Sequence, residues 1–554
     1  MNRRDALKGL SAASAVAAMT PVSSRAASKP PTVMTQAGPV MGQMKDGVTV
    51  FLGLRYGADT GQARFQPPVK PAPWRDPVAA VAYGASSPQA AHDLGSPEPQ
   101  SEDCLFLSVW TPEASSRKTR PVMVYIHGGA YSGGSGSDAL YDGTNLCLRG
   151  DVVVVTVNHR LNVFGYLYLA RLEHRLTGQS YDASQSYDAS QSDYARKPGP
   201  LAWSGNAGQM DLHLALEWVR DNIAAFGGDP GCVMVFGQSG GGAKIATMMA
   251  TPAAKGLFHR AATMSGQQVT ASGPGNATLR ATAVLKALGL NADRDGLARV
   301  QRLPVADLLG ALKTVDPVIG SGGVYMGPVV DQTVLFRHPF YPDAAPQGVP
   351  IPMMIGNVHD ETRAFLGGDV KTYSLTWEEL PAKMAKDYRV DIDPYLVMDT
   401  YRKLYPDMTA SDVFFAATTA GRSWRGAIIE DEERARAGHP AFAYQVDFKA
   451  PTDGGIHGAP HTIDIPLAFH NVQVPYIYMA DTPEARRMAD IMSDAFIAFA
   501  RTGSPQTPAL PEWKGYSMEN RETMVMDLMP NLVNDPRGAE RKLFEAVPFI
   551  EQGT

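Results

Sequence analysis

The sequence predicts an α/β fold with a largely parallel central sheet that helices cover on both faces. Three apolar runs with strand character, CLFLSVW, PVMVYIHGG and DVVVVTVNHR, follow one another between residues 104 and 160. Continuous apolar runs of this kind are typical of strands buried on both faces. A stretch with helical apolar spacing, DLHLALEWVRDNIAAF, comes next, and then another strand and helix. This alternation from Leu105 to Ala250 is typical of units that build a parallel sheet.

Antiparallel strands are predicted before this core and less regular structure after it. GPVMGQMKDGVTVFLGLRYG alternates apolar residues with glycine turns, and the proline-rich RFQPPVKPAPWRDP is extended rather than helical. The region from Pro274 to Gln347 is rich in helices and loops. Strand patterns return at VPIPMMIGN and AFAYQVDF. EARRMADIMSDAFIAFART predicts a long amphipathic helix, and the C-terminus mixes turns with short strands.

The first residues have the features of an export signal. Arg3 and Arg4 precede the short, weakly apolar stretch GLSAASAVAAMT, and small residues around Ala26 and Ala27 suit a signal peptidase. Paired arginines and low hydrophobicity favour the twin-arginine route over general secretion. We expect residues 1–27 to be a signal peptide, 28–554 to form one domain, and the protein to be periplasmic or secreted in a bacterium. The alternative is a basic tail without structure.

Composition argues against several classes of partner. The chain of 554 residues has a net charge of −6, which argues against nucleic acid or an anionic membrane as the main partner. After the N-terminus, no apolar run reaches the ~20 residues of a membrane-spanning helix. Cys104, Cys147 and Cys232 are too few and too scattered for a metal cage or a disulfide framework. We expect no required disulfide, and we expect Cys232, at the start of a strand pattern, to be a small core residue.

A low-complexity insert interrupts the α/β pattern at residues 177–203. It contains a tandem hexapeptide, YDASQS, at residues 181–186 and again at residues 187–192. Two copies are too few for a repeat fold. The composition predicts a polar loop, and a tyrosine-lined flap over a functional site is the alternative hypothesis.

The stretch CVMVFGQSGGGAK predicts a strand, a tight turn and a helix with Ser239 at the apex. Gly237 and Gly241 permit strained backbone angles and leave the serine hydroxyl unobstructed. This is the local structure of a nucleophile elbow, so Ser239 is predicted to be the nucleophile of a hydrolase. Because the chain has 53 glycines, an ordinary glycine-rich turn with an exposed serine is the competing interpretation.

Acyl transfer by a serine also needs donors aimed at the developing oxyanion. The segment YIHGGAYSGG, residues 125–134, directly follows a strand, and its glycines let backbone N–H groups approach a substrate closely. We expect the N–H groups of Gly129, Ala130 and Gly240 to be these donors. Phosphate binding is the competing use of such a loop, but neither GK[ST] nor a dinucleotide fingerprint follows it.

Candidates for the acid and the base come later in the chain, in the order that a hydrolase sheet requires. Glu361 follows a strand in MMIGNVHDETRAF, with Asp360 beside it as the alternative. His457 and His461 share the stretch GGIHGAPHTIDIPLAF. Loop-end carboxylates and surface imidazoles are the competing interpretations, and periodicity does not separate the two histidines.

Together these motifs resemble the type B carboxylesterase family, also called the carboxylesterase/cholinesterase family, of the α/β-hydrolase superfamily. The resemblance covers nearly the whole chain after the signal. It rests on the ordered motifs SEDCLFLSVW, HGGAYSGGS, VNHRLNVFGYL, GNAGQMDLHLALEWVRDNIAAFGGDP, GQSGGG, LFHRAATMSG and HDETRAF. It implies an α/β-hydrolase fold with helical and loop insertions around an active-site gorge, no cofactor or metal, and a monomer or homodimer.

The family pattern also selects among the site residues. It has its acid at the Glu of an Asp-Glu pair, which implies Glu361. Its histidine stands three residues before an acidic residue that leads a hydrophobic stretch, here Asp464, which implies His461. His457 has the familiar following glycine but the wrong register. The resemblance thus implies a catalytic triad of Ser239, His461 and Glu361.

Three departures from the family pattern and one further match stand out. Gln238 replaces the usual Glu before the nucleophile, which is expected to change local pKa values and buried hydrogen bonding without abolishing catalysis. Ala130 replaces the usual third glycine of the oxyanion loop but keeps its N–H. Serine stands at residues 86–87 where the usual cysteine partner of Cys104 falls, so this disulfide is expected to be absent. Ser265 matches a serine that supports the triad in some relatives, or it is structural.

The predicted function is hydrolysis of small-molecule carboxylic esters through an acyl-enzyme intermediate. The nearest alternative keeps the fold and changes the bond to a carbamate, amide, thioester or lipid ester. A more distant alternative is a non-catalytic binding protein, because some relatives have lost the nucleophile and serve adhesion.

Overall fold

The computed structural model of the protein describes residues 30–90, 99–115, 118–176, 199–388 and 390–551. The predicted signal peptide at residues 1–27 lies outside these ranges, as does most of the 177–203 insert, including both copies of its repeat. The flap hypothesis therefore concerns residues outside the described part of the chain.

The described residues form two sheets. Within these ranges the strands, in chain order, are β1 (Thr32–Met34), β2 (Pro39–Met41), β3 (Gln43–Lys45), β4 (Val48–Arg55), β5 (Val78–Ala79), β6 (Phe106–Thr111), β7 (Arg120–Ile126), β8 (Val153–Val157), β9 (Gly228–Gln238), β10 (Arg260–Met264), β11 (Met353–Val358), β12 (Phe442–Val446), β13 (Glu522–Met526) and β14 (Asn531–Asn534). The small sheet has the order β1-β2-β5, and the large one β14-β13-β12-β11-β10-β9-β7-β8-β6-β4-β3.

Helices connect the strands and cover the large sheet. In the described part of the chain they are α1 (Thr144–Gly150), α2 (Asn162–Tyr166), α3 (Ala170–Leu176), α4 (Ala207–Asn222), α5 (Gly240–Met249), α6 (Pro274–Ala287), α7 (Arg294–Val300), α8 (Val305–Ala311), α9 (Glu361–Leu366), α10 (Leu380–Asp387), α11 (Pro394–Leu404), α12 (Ala410–Thr419), α13 (Arg425–Arg436), α14 (Asp464–Ala468), α15 (Pro483–Thr502) and α16 (Gly538–Glu545). A π-helical segment, Ala420–Trp424, joins α12 to α13.

The centre of the large sheet is parallel, as the sequence predicts. Strand β9 pairs in parallel with β7 on one side and with β10 on the other, and the parallel pairing continues through β11 and β12 to β13. Both edges are antiparallel, from β8 through β6 and β4 to β3 and between β13 and β14. The carboxyl ends of parallel strands meet at one edge of a sheet, which is where open α/β folds bind ligands.

Strand β9 shows why its apolar run is continuous. Val233 and Val235 belong to the core between the sheet and α4, whereas Met234 and Phe236 belong to the core on the side of α15. All four side chains are fully buried. Because successive side chains of a strand point to opposite faces, a strand with helices on both sides needs apolar residues at every position.

Most predicted elements are present, and the helices of the second half add to them. Strands at residues 353–358 and 442–446 and the helix at residues 483–502 confirm three predictions. The helices α10 to α13 and the C-terminal helix α16 had no counterpart in the sequence prediction. Helix α16 carries charged residues through most of its length, and one buried aromatic side chain, Phe544, anchors it.

All three cysteines are free thiols. Cys104 is buried, and the Ser87 hydroxyl lies within hydrogen-bonding reach of its thiol. The expectation for Cys232 is wrong in part, because this side chain lies inside β9 and is only half-buried, with its Sγ 3.2 Å from a guanidinium nitrogen of Arg260. Within the described ranges, none of the helices combines the length and the apolar composition of a membrane-spanning segment.

Candidate active site

Ser239 occupies a strained turn between β9 and α5. Its backbone has φ 56° and ψ −126°, a conformation that residues with a side chain rarely adopt. Two hydrogen bonds hold the turn: the Ser239 N–H donates to the Met264 carbonyl at 2.8 Å, and the Ser239 carbonyl accepts from the Ala243 N–H at 3.1 Å. The Ser239 side chain is partly exposed. The turn thus presents the hydroxyl at the carboxyl edge of the sheet.

The loop after β7 packs directly against this turn. A Cβ placed on Gly240 would lie 2.1 Å from the carbonyl oxygen of Ala130 and 2.5 Å from its Cα. Only glycine fits there without moving one of the two backbones. Gly129 and Ala130 both have left-handed backbones, with φ 82° and φ 52°. Ala130 carries this conformation although it has a Cβ, so the loop is strained where it meets the turn.

The loop after β7 meets the start of α5, and together these two segments carry three backbone N–H groups of interest. In the described part of the chain, those of Gly129, Ala130 and Gly240 donate to no protein acceptor. Gly240 is the first residue of α5, and N–H groups of a first helical turn have no partner within their own helix. Fixed, unused donors of this kind can stabilise negative charge on a reacting oxygen.

The carbonyl groups of Gly128 and Gly129, in the same loop, accept hydrogen bonds. The Gly128 oxygen lies 2.9 Å from Nδ1 of His127, and the Gly129 oxygen accepts from the N–H groups of Ser132 and Gly133 at 3.1 and 3.0 Å. Since a carbonyl oxygen only accepts, His127 carries a proton on Nδ1. Each carbonyl belongs to the peptide group of the next N–H, so these bonds also orient the donors of Gly129 and Ala130.

Glu361 and His461 lie against each other although 100 residues separate them. Glu361 begins α9 just after β11, and its Oε2 accepts a hydrogen bond from Nδ1 of His461. Its other oxygen, Oε1, accepts from the backbone N–H of Val358 at 3.2 Å and from the Asn357 amide at 3.3 Å. Both side chains are buried. With its proton on Nδ1, the imidazole has Nε2 free as a base.

The two alternative residues have other contacts. Asp360 Oδ2 accepts from the Ala459 N–H at 2.9 Å, and its own N–H donates to the Ala459 carbonyl at 2.9 Å. Asp360 therefore anchors the loop that carries His461. His457 Nε2 lies 3.1 Å from an Asp453 oxygen, and nothing joins this ring to Glu361 in the described residues.

Gln238 contacts the imidazole directly. Its amide Nε2 lies 3.1 Å from Nε2 of His461 and 3.4 Å from Nδ1. In the described part of the chain, no hydrogen bond joins the Ser239 hydroxyl to His461. The Gln238 amide instead donates to Nε2, the unprotonated imidazole nitrogen. Catalytic hydrogen bonds are often long or misaligned before substrate binds.

Ser265 lies behind the turn. Its backbone N–H donates to the Gly356 carbonyl at 2.7 Å, and its hydroxyl has no hydrogen-bond partner within the described residues. A Cβ on the following Gly266 would lie 2.0 Å from the Ser239 carbonyl oxygen. The segment therefore contacts the backbone of the turn.

The structure adds three residues that the sequence prediction did not single out for a role at the site. The Phe365 ring packs on the His461 imidazole, with ring centroids 4.6 Å apart. The Arg422 guanidinium, from the π-helical segment, lies 4.6 Å from the Phe365 centroid. Lys244, fully buried on α5, reaches the loop after β7. The sequence feature that could have identified Lys244 is its place in GGGAKIATMM, where it is the charged residue among small, apolar and hydroxyl residues.

Asp464, the residue used to choose the histidine register, is the first residue of α14 and fully buried. No side chain of the described residues donates to its carboxyl group. Burial, with the nearby charge of Glu361, raises its pKa well above the ordinary value.

Comparisons with known proteins agree with this architecture. The model of the carboxylesterase family matches residues 29–176 and 198–544. The chain is 34% identical over 522 residues to the para-nitrobenzyl esterase of Bacillus subtilis, covering 92% of this chain and 98% of that protein. It is 28% identical over 517 residues to the phenmedipham hydrolase of Pseudarthrobacter oxydans, covering 90% and 95%.

Solved structures give the same result. The structure of the Geobacillus stearothermophilus carboxylesterase EST55 at pH 6.2 superposes with a TM-score of 0.77 at 33% identity, covering 93% of this chain and 99% of that one. A structure described as PNB esterase gives 0.74 at 32% identity, with coverage of 93% and 99%. Sequence and backbone therefore agree over almost the whole described chain: the protein belongs to the carboxylesterase family, has the α/β-hydrolase fold and is a carboxylic ester hydrolase.

Proposed function

We propose that this carboxylic ester hydrolase cleaves esters in two steps, with Ser239 as nucleophile, His461 as general base and acid, and Glu361 as the residue that orients the imidazole. The observation that carries the proposal is the hydrogen bond between the buried Glu361 carboxylate and Nδ1 of His461, whose ring contacts Gln238 next to the strained turn of Ser239. This chemistry requires a nucleophile, a base, and a third group that orients the base.

In the first step Nε2 of His461 takes the Ser239 proton while Oγ attacks the ester carbonyl carbon. The carbonyl oxygen becomes an oxyanion, which the N–H groups of Gly129, Ala130 and Gly240 stabilise. The tetrahedral intermediate then collapses: its bond to the alcohol oxygen breaks, and His461 returns the proton to that oxygen. The alcohol leaves, and the acyl group stays on Ser239 as an ester.

In the second step water replaces the alcohol. His461 takes a proton from water as the water oxygen attacks the acyl carbon, and the same donors hold the second oxyanion. The bond to Oγ then breaks, and His461 returns its proton to Ser239. The carboxylic acid leaves, and the enzyme is restored without a cofactor.

The Gln238 amide must move before the first step. It lies 3.1 Å from the imidazole nitrogen that accepts the Ser239 proton, and one lone pair cannot accept from both groups at once. We infer that the amide turns away when the Ser239 hydroxyl bonds to Nε2.

We propose small-molecule esters as substrates, including esters of substituted benzyl alcohols. Support comes from the 34% identity to a relative described as a para-nitrobenzyl esterase. The test compares kcat/KM on short p-nitrophenyl and p-nitrobenzyl esters with rates on long-chain triglycerides, carbamates, thioesters and amides. The proposal predicts the highest kcat/KM on the short esters. A higher kcat/KM on the triglycerides, carbamates, thioesters or amides would instead indicate a hydrolase of that bond.

A fluorophosphonate probe tests the nucleophile itself. We expect the probe to label the wild-type protein and not Ser239→Ala. Ser265→Ala, at a nearby serine outside the proposed triad, is the matched control and should still be labelled. An unlabelled wild-type protein without esterase activity would instead support a non-catalytic binding protein.

We also propose export through the twin-arginine route and a monomeric or homodimeric state. Residues 1–27, fused to a reporter that requires prior folding, are expected to direct it to the periplasm. Replacing Arg3 and Arg4 with lysine should retain the reporter in the cytoplasm. Light scattering of the purified protein measures the oligomeric state, and a larger assembly would contradict that part of the proposal.

A further inference from the structure

Lys244 reaches from helix α5 into the loop after β7. It is the fifth residue after Ser239, and its side chain is fully buried. Its Nζ donates to the carbonyl oxygens of Ala130 at 2.6 Å and of His127 at 3.3 Å. It also lies 5.2 Å from the ring centroid of Tyr131, within the range of a cation–π interaction. All these contacts are with one short segment, His127–Tyr131.

Among the described residues the Lys244 ammonium has no counter-ion. No ion pair joins Lys244 to a carboxylate in the part of the chain that the structure describes, and burial lowers its pKa to about 7. Burying a charge without an opposite charge is costly unless hydrogen bonds compensate. An apolar side chain of similar length would cover the same space without that cost, so packing alone does not account for a lysine here.

The segment that Lys244 contacts has a strained backbone and carries a proposed oxyanion donor. Ala130 has φ 52°; its N–H is a proposed oxyanion donor, and its carbonyl binds Nζ. Rotation of the peptide group after Ala130 toward a relaxed backbone would break the 2.6 Å contact. Helix α5 also begins with Gly240, another of the three proposed donors. One helix thus contacts both halves of the proposed oxyanion hole.

We propose that Lys244 is a positioning residue of the oxyanion hole: its ammonium group binds the carbonyls of His127 and Ala130, and so fixes the backbone between them in the conformation that aims the Ala130 N–H at the oxyanion. This inference rests on the proposed function. It assigns no contact between Lys244 and substrate: the lysine acts through the backbone of Ala130.

The test is Lys244→Met, which keeps the length and removes the charge and the donors. The oxyanion is probed with a trifluoromethyl ketone, which forms a tetrahedral adduct with the serine. We expect kcat and inhibitor affinity to fall together by roughly 100-fold, the lower end of the loss for a missing oxyanion donor, while KM changes little. Lys244→Gln, which keeps a neutral donor, should fall between wild type and Lys244→Met.

Met248→Ala is the matched control, because this buried residue lies on the same helix and contributes to the hydrophobic core instead. It should lower the melting temperature without a selective loss of inhibitor affinity. A folded Lys244→Met enzyme with wild-type kcat and inhibitor affinity would overturn the proposal. Wild-type protein that neither hydrolyses esters nor reacts with a fluorophosphonate would instead overturn the proposed function.

The dependence of kcat/KM on pH in the wild-type enzyme tests the role of the Lys244 charge without any substitution. The protonated amine is the holding form, so kcat/KM should fall as pH rises through the Lys244 pKa of about 7, between about pH 6 and about pH 8. The groups that face the ammonium are His127, His159 and Tyr131; burial and the charge of Lys244 lower the pKa of His159, and burial raises that of Tyr131. Neither of these two is expected to gain or lose charge in that interval. A profile without a fall there would contradict the role of the charge.

Discussion

The Gln238 side-chain amide lies 3.1 Å from Nε2 of His461, the imidazole nitrogen opposite the one that binds Glu361. A residue that precedes the proposed nucleophile in the chain therefore contacts the proposed base in space. Because the amide is neutral, it adds a hydrogen bond to the imidazole without adding charge. The family's usual carboxylate at this position would add both.

Restoring that carboxylate should change the pH dependence of the reaction. In Gln238→Glu a negative charge beside His461 favours the protonated imidazole over the neutral one. Since the base must be neutral, the acidic limb of kcat/KM against pH is expected to move to higher pH. Gln238→Met, which is neutral, is the control and should not move the limb upward.

The two histidines should differ strongly in their effect on catalysis. His461→Ala removes the proposed base, and kcat is expected to fall by roughly four to six orders of magnitude. His457→Ala breaks contacts to Asp453, Tyr373 and Tyr478, none of which the proposed mechanism uses, so kcat should stay within a few-fold of wild type. Steady-state kinetics on one p-nitrophenyl ester measures both, and the reverse order of effects would reject the register of His461.

Substitution of Glu361 should lower kcat, whereas substitution of the adjacent Asp360 should lower the unfolding free energy. Glu361→Gln keeps the shape but loses the charge beside Nδ1, and kcat is expected to drop by roughly 10⁴-fold. Asp360→Asn weakens the link to the Ala459 backbone, which should cost about 1–3 kcal/mol of unfolding free energy. Kinetics and urea unfolding on both variants measure the two effects. Equal losses of kcat would contradict the assignment of Glu361 over Asp360.

Gly240→Ala tests the close approach of the two loops at the oxyanion hole. Its Cβ would lie 2.1 Å from the Ala130 oxygen, so the backbones must separate and the donors move. We expect kcat/KM to fall by roughly 100-fold or more. Gly310→Ala is the control, because a Cβ there meets nothing within 4 Å; this helix position should gain about 0.5–1 kcal/mol of stability without loss of activity.

Asp464 should make stability depend on pH. Its folded pKa is raised by burial and by Glu361, so its carboxyl group stabilises the fold below the unfolded pKa of about 3.9 and loses that contribution as pH rises through the folded pKa. Asp464→Asn removes this titration. The unfolding free energy of the variant relative to wild type should increase with pH between about pH 4 and the folded pKa. Urea unfolding at several pH values measures this difference, and a constant difference would refute the titration of Asp464.

The parts of the site that depend on neighbouring residues could be predicted from the sequence. The apolar run of β9, the glycines around Ser239 and the small residues of α5 all lie within about twenty consecutive residues, so their spacing predicts strand, turn and helix. The loop at Gly129 and Ala130 is local in the same sense. The parallel centre of the sheet followed from strand patterns that are apolar at every position.

The tertiary structure decided which distant residues meet. The residues alone left Glu361 and Asp360, and His461 and His457, as open alternatives; the family resemblance chose one of each, and the folded chain brings those two into contact. The contact of Gln238 with His461, 223 residues apart, and that of Lys244 with Ala130, 114 residues apart, had no sequence pattern of their own. Such hydrogen bonds depend on how whole elements pack, and a local pattern carries no information about the distance between two loops. The sequence by itself determined the fold and the strained serine turn; the packing of the sheet and its loops decided the surroundings of that serine.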